Sequence, residues 1–166
     1  APVTELKLEE CIFIGKTAIG IRSRVQHRKT TIDAERCAII SDYLFGNNPR
    51  NRFHPVGLNF TDCVIDPSAA LFQLPDTPPE IVRSHLSWTG LRNLHNAGTR
   101  TLEANRVYAG EQFEIYTIDQ ITGLPLASDS EVATAAPIDR EQLGRRPSKS
   151  ELRAALPSGM GIPALE

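Results

Sequence analysis

Apolar and polar residues alternate in short stretches along most of this chain, broken by one longer helical pattern and an apolar-poor C-terminal end. In ELKLEECIFIG, Leu6, Leu8, Ile12 and Ile14 share one face at a period of two, which predicts a strand. Gly15–Lys16 then supplies a turn. TAIGIRSRVQ alternates Thr17, Ile19, Ile21, Ser23 and Val25 against Ala18, Gly20, Arg22, Arg24 and Gln26. Residues two apart on a strand point the same way, so one face is core-directed and the other presents Arg22 and Arg24 in a row. VGLNFTDCVID returns to alternation, with Val56, Leu58, Phe60 and Val64 on one side. NRVYAGEQFEIYTIDQITGLPLAS reads as strands joined at Ala109–Gly110 and Thr122–Gly123.

Two segments read as helices. TPPEIVRSHLSWTGLRNLHNAG opens with Thr77 as N-cap, Pro78 at the first helical position and Glu80 completing a capping box, and Gly98 ends it. This predicts a helix over 78–97, although Gly90 costs it about 1 kcal/mol against alanine and allows a break there. Residues 33–45 also read as a helix, with Asp33 as N-cap and Gly46 beyond the end, while CAII equally suits a buried strand. NNPRNRFHP, between these elements, is an exposed loop rich in Asn and Pro.

After residue 127 the chain carries no aromatic residue, few large apolar ones and several prolines. Its one ordered feature is a short helix from Ser148 to Leu156, with Glu151 completing a capping box and Pro157 ending it. Such a segment is ordered most easily by lying on its own domain, a neighbouring copy or a partner. The resulting expectation is an α+β, mainly β, chain. An antiparallel sheet or small barrel with one or two helices fills residues 1–127, and an extended Pro/Ala-rich arm fills 128–166.

The composition, 40% apolar and 23% charged over 166 residues, is that of a globular chain. No apolar run approaches the ~18 residues of a membrane helix, and APVTELKLEE lacks a signal-peptide pattern. Cys11, Cys37 and Cys63 are odd in number with no CxxC pairing, which predicts neither a disulfide framework nor a zinc site and suggests a reducing, cytoplasmic setting. Those cysteines are 26 residues apart, and CIFI, CAII and CVID resemble one another. A true repeat should keep its turn residues in phase, and the prolines and charges here do not, so the spacing reads as chance.

Charge is unevenly distributed on a chain of net charge −2. Residues 16–52 carry an excess of five positive charges and residues 107–136 an excess of five negative ones. The basic side chains are mainly arginine, which favours bidentate contact with phosphate or carboxylate. Arg22, Arg24, Arg28, Lys29, Arg50 and Arg52 are therefore the candidates for an intersubunit interface or for phosphate contact, with Tyr43 and Trp88 as rings on which a base could stack.

Catalytic and metal motifs are missing. The chain has no Gly-rich phosphate loop, GxSxG or HExxH, and the four histidines are scattered. The closest approach to a catalytic constellation is His54, Asp62, Cys63 and Asp66, where a cysteine nucleophile would need the histidine as base. Cys63 alternates with apolar neighbours, which favours a buried structural role. Within NRVYAGEQFEIYTID, Arg106, Val107, Gly110 and Phe113 resemble a stretch of the repeat-associated RNA-binding subunits of CRISPR effector complexes, over about a tenth of the chain. That resemblance implies RNA binding, and the same residues also describe an ordinary hairpin turning at Gly110.

The reading that follows is a non-enzymatic structural or assembly subunit of a larger complex, for example a phage particle, without cofactor or metal and in a homo- or hetero-oligomer. The alternatives are an RNA-binding subunit of a nucleoprotein complex and a thiol-dependent enzyme centred on Cys63.

Overall fold

The computed structural model describes residues 4–21, 29–47, 53–74, 77–96, 100–104, 114–116, 131–133, 143 and 147–155. Eleven strands and two short helices lie within them. In chain order they are β1 (Thr4–Glu9), β2 (Ile12–Ile21), β3 (Thr30–Glu35), β4 (Ala38–Asn47), β5 (Val56–Thr61), β6 (Val64–Leu74), α1 (Pro79–His85), β7 (Leu86–Leu91), β8 (Leu94–Asn96), β9 (Arg100–Ala104), β10 (Glu114–Tyr116), β11 (Glu131–Ala133) and α2 (Lys149–Ala155).

Successive strands alternate between two sheets. One sheet runs β1-β3-β5-β7, parallel throughout; the other stacks β2, β4 and β6, also parallel, with β8 and β9 both laid beside β6. The chain therefore winds as a coil, visiting each sheet once per turn, in a parallel β-solenoid. β10 is antiparallel to β9, and β11 pairs in parallel with β8. Part of the expected arm, Glu131–Ala133, thus joins the second sheet, and α2 buries Leu152.

The expected antiparallel sheet is corrected to parallel ones. A period-two pattern marks a strand but says nothing of its neighbour, and here each neighbour lies one coil away. Thr4, Thr30 and Val56 stand in register in the first sheet, and Ile12, Ala38 and Val64 in the second, each 26 residues from the next. The spacing of the three cysteines is this coil. The fourth coil is longer, Val56 pairing with Leu86 and Val64 with Leu94, because α1 is inserted between β6 and β7.

The expected helix over 33–45 is instead the end of β3, a corner and most of β4. Its apolar residues find partners above and below, as Ile39 does between Phe13 and Ile65. The expected helix over 78–97 survives only as α1. Thr77 is buried and does not cap it; Pro78 holds the N-cap position without a side-chain bond, and Leu86 turns to an extended backbone that starts β7. Val82 anchors the helix in the core. Gly15 and Lys16 lie inside β2 rather than at a turn. The Ala109–Gly110 and Thr122–Gly123 turns and the Arg106–Phe113 stretch lie outside the described residues. The Ser148–Glu151 box is present: Glu151 accepts the Ser148 backbone N–H at 2.6 Å, and the Ser148 hydroxyl accepts from the Glu151 N–H at 3.3 Å.

Between the sheets, side chains stack in columns from coil to coil. Ile32, Leu58 and Trp88 form one column, and Ile19, Phe45 and Phe72 another. Trp88 joins the two sheets, stacked on Phe60 at 5.2 Å and edge-on to Phe72 at 5.7 Å. β6 takes one extra residue beside β4 between Ser41 and Tyr43, next to Pro67, which has no N–H for the ladder.

Candidate functional site

Each coil passes from the first sheet to the second through a two-residue corner: Glu10–Cys11, Arg36–Cys37, Asp62–Cys63 and Arg92–Asn93. The first residue of every corner has a positive φ, between 51° and 54°, the left-handed region that turns the chain sharply. The backbone bonds repeat from coil to coil. Glu10, Arg36 and Asp62 donate their N–H to Glu35, Thr61 and Leu91, each at 3.0 Å. Ala38, Val64 and Leu94 donate to the carbonyls of Cys11, Cys37 and Cys63, each at 2.9 Å.

The outward corner residues form a column of alternating charge. Arg36 binds Glu10 at 3.1 Å and also pairs with Glu35 of its own coil; Arg92 grips Asp62 with two bonds, at 2.6 and 2.7 Å. The Arg92 hydrogen bond, aided by the positive charges of Arg92 and Arg36, holds the Asp62 carboxyl below the usual aspartate range against a smaller opposing effect of burial. Partly exposed pairs of this kind contribute ~0–1 kcal/mol each. Their larger effect is on register, because a slip of one coil would set like charges together.

The second corner residues point inward as a column of small polar groups: Cys11, Cys37, Cys63 and Asn93. Each side chain donates to the carbonyl three residues before the corner one coil earlier. Cys37 Sγ lies 3.6 Å from the Leu8 oxygen, Cys63 Sγ 3.5 Å from that of Ala34, and Asn93 Nδ2 2.9 Å from that of Phe60. In return the backbone N–H of the earlier corner points at the later side chain, Cys11 at Cys37, Cys37 at Cys63, and Cys63 at Asn93 Oδ1 at 2.9 Å. The three cysteines are free thiols.

A further polar column lies on the outer face of the first sheet, where Lys7, Asp33, Asn59 and Thr89 are in register. Asn59 donates to Asp33 at 2.6 Å and accepts from the Thr89 hydroxyl.

Of the residues singled out from sequence, Arg22, Arg24, Arg28, Arg50 and Arg52 lie outside the described residues. Lys29 is exposed just before β3, and its carbonyl accepts the Thr4 N–H. Tyr43 is half-buried on β4. Trp88, put forward as a stacking ring, is 2% exposed inside the coil and presents no face to a base. The Cys63 constellation does not assemble among the described contacts. Asp62 is committed to Arg92, Asp66 is buried, and the Cys63 thiol bonds the Thr61 and Ala34 carbonyls while its pKa is pushed up, chiefly by its hydrogen bond to Cys37 and then by burial. Among the described residues, no cluster of three His, Cys, Asp or Glu side chains could hold a metal, and no helix is long and apolar enough to cross a membrane.

One surface has no described neighbour. β1 and β2 end their sheets. Leu6 and Ile14 are each 45% exposed, while their column partners Ile32 and Ile40 are 1% and 4% exposed. Leu8 and Phe13 are only partly buried. The first coil thus presents two unpaired strand edges and the end of the apolar core. Sequence reasoning missed both the corner columns and this edge; the available signal was the 26-residue spacing together with the charged residue before each cysteine. No family model, curated protein or solved structure matches this chain.

Proposed function

We propose that the protein is a non-enzymatic structural subunit of a multi-protein assembly, and that its first coil seats against another subunit. The observation that carries this reading is the open first coil, with its strand edges and the half-exposed Leu6 and Ile14. An unpaired edge is a template for a further strand. Completing the burial of Leu6 and Ile14 would add about 1 kcal/mol apiece. Glu5, Lys7 and Glu9 project from β1 on the opposite side to Leu6 and Leu8, so a strand that adds here must match their charges. The C-terminal arm and the arginines of residues 22–28 are the other intersubunit contacts in this reading.

The test is mass by light scattering on the full-length protein, with absorbance at 260 and 280 nm read on the same peak. A multiple of 18.3 kDa that falls to the monomer in the double variant Leu6→Glu, Ile14→Lys supports the proposal. A monomer at all concentrations overturns self-association through this edge. A monomer carrying nucleic-acid absorbance that high salt removes would put RNA binding in its place.

A further inference from the structure

We infer that Cys11 and Cys37 form a hydroperoxide-reactive dithiol that closes to a disulfide linking the first coil to the second. The inference goes beyond the proposed role in assembly and does not depend on it.

The two residues occupy the same position on adjacent parallel coils, fixed by the Ala38 N–H that donates to the Cys11 carbonyl at 2.9 Å. Neighbouring strands lie ~4.8 Å apart, inside the window of Cα separations that a disulfide spans. Their thiols are already hydrogen-bonded to each other. Access differs along the column: Cys11 is half-buried in the open first coil, while Cys37 and Cys63 are fully buried. A dissolved oxidant therefore meets Cys11 first.

The column also supplies a base. Cys37 is held well below the usual thiol range, first by the hydrogen bond from Cys63 and also by the thiol and backbone N–H of Cys11, against the opposing effect of burial. Cys11 is shifted the other way, by burial and by its neighbour Cys37, so it keeps its proton until it reacts. As the Cys11 sulfur attacks a hydroperoxide, its proton passes to the Cys37 thiolate. The O–O bond breaks, Cys11 becomes a sulfenic acid, and hydroxide or alkoxide leaves. The Cys37 thiol then attacks the Cys11 sulfur, forming the S–S bond and breaking S–O, and water departs with the Cys37 proton. Two electrons pass from the sulfur pair to the peroxide.

The experiment treats the reduced full-length chain with hydrogen peroxide and reads the intact mass and a peptide map without reductant. The expected product is monomeric, about 2 Da lighter, and linked between Cys11 and Cys37. Cys37→Ser should stop at one added oxygen on Cys11, trapped by a sulfenic-acid reagent, while Cys63→Ser should still close the link. Trp88 fluorescence before oxidation checks that each variant is folded, and Cys37→Ala serves in place of Cys37→Ser if the hydroxyl disturbs the core. A Cys37–Cys63 link, a link between two chains, stable added oxygen on wild-type Cys11, or no reaction would each overturn the inference.

Discussion

Replacing Asn93 tests the corner column directly. The side chain is 1% exposed and answers two buried backbone groups, accepting from the Cys63 N–H and donating to the Phe60 carbonyl, both at 2.9 Å. Asn93→Ala leaves both without a partner. Each orphaned group costs about 1–3 kcal/mol, so the expected loss is about 2–5 kcal/mol, a large part of the ~5–15 kcal/mol that stabilises a typical domain. Asn93→Cys restores the residue found at this corner in the other three coils. Its thiol is a weaker donor and acceptor, so the cost should be nearer 1 kcal/mol. Trp88 is the chain's single tryptophan and lies in β7, one strand before Asn93, so its fluorescence during urea unfolding reports the affected coil. The reasoning fails if alanine falls within about 0.5 kcal/mol of wild type, or if cysteine is no better than alanine.

Iodoacetamide on the native protein should label Cys11 alone, and slowly at pH 8 because that thiol is shifted up; mass mapping that finds Cys63 labelled would contradict its burial. The Asp62–Arg92 pair carries an acid dependence. The folded pKa of Asp62 lies below its unfolded value, so the pair's contribution is complete above about pH 4 and disappears as the pH falls through the folded value. Arg92→Gln should therefore shrink the drop in urea midpoint between pH 7 and acid, and an unchanged drop would refute the assignment.

Strands were legible wherever one face is polar. Val56, Leu58 and Phe60 alternate with Gly57, Asn59 and Thr61, and the first three are core residues. The Ser148–Glu151 box was legible because its bonds are local. The sheets' direction was not, since Ile32 and Leu58 are joined by a contact 26 residues long and carry no mark of it in their neighbours. Residues 33–45 misled because β4 is buried on both faces; Ile39 and Ile40 are both inside, which erases alternation. The turns were hidden for another reason. Sharp corners are sought at glycine or proline, and here Glu10, Arg36, Asp62 and Arg92 hold the left-handed backbone themselves. Their charges looked out of phase because they keep position while changing sign.

That change of sign has a consequence for how such a chain could lengthen or shorten. Loss of the single coil from Arg36 to Thr61 would bring Asp62 beside Glu10, acid on acid, whereas loss of two coils would bring Arg92 there and preserve attraction. Duplication obeys the same parity. The hereditary unit of this solenoid is then a pair of coils, twice the length of the unit that its hydrogen bonds repeat.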